Sequence, residues 1–116
     1  MPEGDCLFCR IVSGEIPSRR AYEDDLVVAF HDVAPRAPTH VLLVPRQHIA
    51  SALELTDADA PTVGRLFAAA ARVAREQGIA DGGYRIVSNV GRWGGQTVDH
   101  LHLHLLGGRP FEWPPG

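Results

Sequence analysis

Late in the chain histidine and leucine alternate strictly, as His100-Leu101-His102-Leu103-His104-Leu105. A period of 2 marks a strand with one buried face, so the leucines are expected to face a core and the three imidazoles a common open side. One metal shared by all three is excluded by geometry. A strand rises about 3.3 Å per residue, which puts His100 and His104 about 13 Å apart, whereas ligands to one ion stand about 2 Å from it. At most two neighbours can converge on an ion, which leaves at least one imidazole for chemistry. A neutral imidazole is a competent nucleophile toward phosphorus near neutral pH, provided its second nitrogen is held as N–H by an acceptor.

The rest of the chain supplies elements around this strand. Asp5 to Gly14 reads as a short helix with Leu7, Phe8 and Ile11 on one side and Gly14 as its stop. Arg20–Glu23 and Leu26–His31 flank Asp24-Asp25 as a hairpin, Val33 to Thr39 is a proline-containing loop, and His40–Val44 is a third strand ending at Pro45. Thr56-Asp57-Ala58-Asp59 is a capping signal followed by Pro61, and a long helix runs from there to about Gln77 before Gly78. Its stripe is Val63, Leu66, Phe67, Ala70, Val73 and Ala74. Tyr84–Asn89 and Asp99–Leu106 are the fourth and fifth strands, separated by the glycine-rich loop Gly91–Gln96. Strands before and after one main helix define an α+β class, an antiparallel five-stranded sheet with one long helix on a face and a short N-terminal helix. A chain of 116 residues suits a single domain, residues 1–116, with one site.

Composition narrows the chemistry. All 11 basic residues are arginine, which excludes a lysine nucleophile, a Schiff base and a Walker A lysine. The net charge of −3 disfavours binding to long nucleic acid, whose affinity rests on many cationic contacts. No apolar run reaches the roughly 20 residues of a membrane helix, and the start, Met1-Pro2-Glu3-Gly4-Asp5, is acidic where a secretory leader is basic; the expected location is cytoplasmic. Gly94 and Gly95 let backbone N–H groups approach an anion, and Gln96 and Thr97 add uncharged donors. Cys6 and Cys9, three apart, fit zinc, a thiol couple or two small core residues.

Taken together these segments resemble the histidine triad superfamily, and within it the Hint-like branch. The motif residues are His100–Leu106, Phe30–Pro35, Ala37–His40, Pro45–Ile49, Asn89–Gly91, Gly94–Gln96, Leu106–Arg109 and Trp113–Gly116. The resemblance implies a hydrolase of purine nucleoside phosphoramidates. His102 would attack the α-phosphorus and water would release the nucleotidyl-histidine. Dinucleoside polyphosphate cleavage and a nucleotide-binding regulatory role are the alternatives. It further implies that Asp32 binds the ribose hydroxyls, that Phe8, Ile16 and Val33 form the purine pocket, and that Asn89, Gly95, Gln96, Thr97 and His104 contact phosphate. His40 would support the triad, and His31 is either a pocket wall or an exposed strand end. Structural zinc on Cys6, Cys9, His48 and His100 is implied, with no organic cofactor, as is a homodimer in which Trp113 reaches the partner's pocket. Thr97 stands where serine is frequent, which keeps the hydroxyl, and Asp99 where an aromatic residue is common.

Overall fold

The computed structural model describes residues 3–116; Met1 and Pro2, which open the acidic N-terminal segment, lie outside the described residues. The elements are α1 (Leu7–Ser13), β1 (Arg20–Glu23), β2 (Val27–His31), β3 (Thr39–Pro45), α2 (Ala60–Glu76), β4 (Tyr84–Ser88) and β5 (Leu103–Gly107). They form the α+β fold that the sequence implies. The five strands make one antiparallel sheet in the order β1-β2-β3-β5-β4.

Helix α1 starts at Leu7, later than the expected Asp5. The Cys6 sulfur accepts the Cys9 N–H and so caps the helix, and Gly14 ends it in the left-handed region at φ 86°. Glu3–Asp5 forms a separate 3₁₀ turn. Helix α2 follows a capping box in which Asp59 Oδ2 accepts the Thr56 backbone N–H at 2.9 Å. Its buried stripe is Leu66, Ala69, Ala70, Val73 and Ala74. Phe67 falls on the expected stripe yet is half exposed, because the helix contacts the sheet over a narrower arc than the apolar pattern covers.

Both faces of the sheet are covered. Val27, Ala29, Val41, Leu43, Leu103 and Leu105 pack with α2, while Val28, Phe30, Leu42 and Val44 pack with Cys6, Phe8 and Ile11 of the α1 side. Period-2 alternation assigns each strand's residues to one or the other layer. The β1–β2 corner is fixed by Asp24, whose carboxylate accepts the Leu26 and Val27 N–H groups and the Tyr22 hydroxyl, and lies 3.1 Å from Arg65 of α2.

The fifth strand is shorter than its sequence pattern. Ladder pairing runs from Leu103 to Gly107 only, and residues 100–102 precede it without joining a ladder. There the Leu101 N–H donates to the Ile49 carbonyl at 2.6 Å instead. Alternation persists because side chains still point to alternate faces, although the backbone has left the sheet. The open side expected for the three imidazoles is also corrected. His100 is fully buried, His102 is 5% exposed and His104 is half-buried, since α1 lies over that face. Among the described residues no helix is long and apolar enough to cross a membrane.

Candidate active site

The α1-side face holds a cavity of about 340 Å³. Phe8, Ile16, His31, Asp32, Val33, Thr97, His102 and His104 of the expected set line it, with Leu7, Ile11, Pro17, Ser18, Phe30, Leu42 and Val98 as additional walls. Phe8 stands edge-on to His102, with ring centroids 5.0 Å apart, and screens that imidazole from water. Val33 lines the cavity at its rim and is fully exposed. His31 is a pocket wall, with an Arg19 guanidinium nitrogen 3.5 Å from both ring nitrogens. Burial, and then that guanidinium, hold its pKa below the ordinary value.

Backbone groups set the proton positions on the histidines. His102 Nδ1 lies 2.7 Å from the His100 carbonyl, which can only accept, so Nδ1 carries the proton and Nε2 keeps its lone pair. His100 Nε2 donates to the Pro45 carbonyl at 2.9 Å in the same way, leaving its Nδ1 as an acceptor. The Arg36 N–H donates to His40 Nδ1 at 3.0 Å, which puts the proton of neutral His40 on Nε2. That Nε2 is 2.9 Å from His104 Nδ1, so neutral His104 carries its own proton on Nε2. His104 is held to about 4, first by burial and then by the nearby His102 and His40; burial, partly offset by Asp32, also lowers His40. Both rings are therefore neutral at pH 7, and the 3.5 Å approach of Asp32 to His40 Nε2 is not an ion pair.

The glycine-rich loop, expected to cradle phosphate, is held in shape by its own side chains. Gln96 Oε1 accepts the Gly91 N–H at 3.0 Å, and its amide group donates to the Ala50 and Val98 carbonyls at 2.8 and 3.0 Å. Its side chain is thus committed to holding the loop, and its own N–H goes to the Gly91 carbonyl. Asn89 braces the same loop by donating to the Gly94 carbonyl at 2.7 Å. Asn89, Gly95 and Gln96 do not line the cavity; Thr97 does. Gly94 is obligatory, because a Cβ there would stand 2.2 Å from the Val90 carbonyl oxygen.

On the far side of His100 a second cluster forms. Cys6, Cys9, His48 and His100 place one donor atom each within 4.8 Å of one another, an arrangement that can hold a metal ion. The Cys6 and Cys9 sulfurs lie 3.3 and 3.5 Å from His100 Nδ1, and Cys9 lies 3.2 Å from His48 Nδ1. Tetrahedral zinc with bonds of about 2.3 Å to sulfur and about 2.0 Å to nitrogen requires S···N edges of about 3.5 Å. The Pro45 carbonyl on the other nitrogen of His100 is the usual support for a ligating imidazole. The residues fit the metal. Asp32, His40 and His104 also lie close together, but there the His40–His104 hydrogen bond accounts for the proximity.

Comparison with known proteins agrees with this geometry. A HIT domain matches residues 13–111, so the chain belongs to the histidine triad family. It is 50% identical over 112 residues to an uncharacterized HIT-like protein of Synechococcus elongatus, covering 97% of each chain. It is 45% identical over 107 residues to the purine nucleoside phosphoramidase of Escherichia coli, covering 92% of this chain and 90% of that one. Among solved structures, a HIT family hydrolase from Legionella pneumophila superposes with a TM-score of 0.94 at 46% identity, over 97% of this chain and all (100%) of that chain. A histidine triad protein from Clostridium difficile gives 0.92 at 42%, covering 97% of each.

Proposed function

We propose that the protein is a purine nucleotide hydrolase that cleaves nucleoside 5′-phosphoramidates through a nucleotidyl-histidine intermediate on His102. The observation that carries this reading is the His102 Nδ1–H donated to the His100 carbonyl, which directs the lone pair of Nε2 to the reacting side of the ring. Nε2 attacks the α-phosphorus, the P–Nε2 bond forms and the P–N bond to the amine breaks as the amine takes up a proton from solvent. Water then attacks phosphorus, the P–Nε2 bond breaks, and a nucleoside monophosphate leaves. His104 Nε2–H and the Thr97 hydroxyl are positioned to donate to phosphate oxygens as charge builds on them. Asp32 binds the ribose hydroxyls, and Phe8, Ile16 and Val33 enclose the base. Asn89, Gly95 and Gln96 act by holding the loop that presents Thr97.

The test is intact-mass analysis after incubation with an adenosine phosphoramidate and a basic quench. An adenylyl adduct is expected in the wild type and absent in His102→Ala. Its appearance in both proteins overturns the assignment. Turnover of diadenosine tetraphosphate above that of the phosphoramidate would reassign the leaving group.

Two further parts belong to the same reading. The thiol–imidazole cluster holds structural zinc, tying α1, the segment after β3 and the start of the catalytic run together; it supplies no chemistry to the cavity. The chain also pairs with a second copy, covering Trp113, which is 84% exposed, together with the exposed Phe67 and Tyr84. Light scattering that gives the mass of one chain would refute the pairing.

A further inference from the structure

We propose that the loop of residues 33–38 sets the proton arrangement at the phosphate, through the Arg36 peptide acting on His40 and then His104. A backbone N–H can only donate, so the Arg36 N–H selects the Nε2–H form of His40. That form in turn makes His104 an acceptor at Nδ1 and a donor at Nε2. Without the Arg36 N–H, only the longer 3.5 Å approach of Asp32 Oδ2 to Nε2 still favours that form, and His40 can carry its proton on Nδ1 and accept at Nε2. His104 would then donate from Nδ1 and turn a lone pair toward phosphate oxygens, an acceptor set against acceptors. The Arg36 peptide, at the shorter distance, and the Asp32 carboxylate thus together fix whether His104 attracts or repels the developing charge.

The loop is built to hold that peptide still. Its ends are joined where the Asp32 N–H donates to the His40 carbonyl at 2.9 Å, and Asp32 Oδ1 accepts the Ala34 N–H at 2.8 Å. On its outer side the Arg36 carbonyl accepts from Arg109 Nη2 at 3.3 Å. Gly108, in the left-handed region at φ +93°, lets the segment after β5 close on Pro38; a Cβ there would stand 2.8 Å from Pro38 Cβ. Arg36 is accordingly a positioning residue through its main chain, and its guanidinium is dispensable for this role. Arg109 is a positioning residue one step further out.

Long-range proton–nitrogen NMR of the wild type at pH 7 reads the arrangement without any substrate. The expected pattern is unprotonated Nδ1 in both His40 and His104. A protonated Nδ1 on His40 overturns the proposal. The kinetic arm rests on the phosphoramidase reading and uses three variants. Arg36→Ala keeps the N–H and is expected to hold kcat within about twofold. Arg36→Pro removes it and is expected to lower kcat about 100-fold, the usual effect of losing one donor to a developing oxyanion, with KM nearly unchanged. His40→Gln, which offers one acceptor and one donor, is expected to retain more kcat than His40→Leu. Equal losses in Arg36→Ala and Arg36→Pro, or in the two His40 variants, overturn it as well. Absence of turnover in the wild type would instead refute the phosphoramidase reading, and the NMR pattern would still decide the proton arrangement.

Discussion

Single side chains here do work that their types alone do not disclose. Gln96 looks like a phosphate donor because it follows Gly94-Gly95, yet its amide is consumed by Gly91, Ala50 and Val98. One of those partners is 46 positions away in sequence, so no local reading could have found it. That His102 faces a site was legible from its row; the carbonyl that orients its ring was not. At this scale two outcomes are expected. His104 is held near 4 against an ordinary 6.5, so between these values the unfolded chain binds a proton that the folded chain does not. Folding stability should therefore fall as pH drops from about 6.5 toward about 4, read as a declining urea midpoint, and a flat profile would contradict the neutral His104. Asp24→Ala removes the acceptor of two backbone N–H groups and the Tyr22 hydroxyl, and should destabilise by about 2 kcal/mol in urea titration.

The elements differ in how far local sequence determines them, for reasons that change from one to the next. The limits of α2 follow from Thr56, Asp59, Pro61 and Gly78, whose effects are local, and the helix matches them closely. The start of β5 does not, because alternation reports the facing of side chains and not the pairing of the backbone; residues 100–102 keep the first and lose the second. Short α1 begins at Leu7 and not Asp5 because the Cys6 thiol supplies the cap, which no propensity rule anticipates. At the end of β5, Gly107 lies against α2's following segment: a Cβ would stand 2.6 Å from Ile79 Cδ1 and 2.9 Å from Ile79 Cβ. Gly107→Ala should then cost about 1–3 kcal/mol through overpacking, visible as a lower Tm, and a neutral effect would show that Ile79 gives way easily.

For the whole molecule, the sheet divides two tasks between its faces. The α2 side carries the larger apolar cluster, and the α1 side carries every cavity histidine and the thiol–imidazole cluster. The class of fold was legible in the order of strands and helix; the closeness of Cys6, Cys9, His48 and His100 required the fold, since they span 94 positions between Cys6 and His100. Protein purified without a histidine tag should carry about one equivalent of zinc, and a strong chelator should lower its Tm, because the ion is bound only by the folded arrangement. Less than about a tenth of an equivalent would remove zinc from the account. In that event the four donors would be a packed thiol–imidazole contact.

His100 stands at the joint between the two centres, but with different atoms: its ring faces the sulfurs, and its main-chain oxygen accepts the hydrogen bond from His102 Nδ1–H. Any other residue at this position would keep that oxygen. On the proposed reading, durability and turnover are therefore separable by genetic means: a chain without the ring at 100 would lose the metal and its thermal resistance while the orientation of His102 stayed intact.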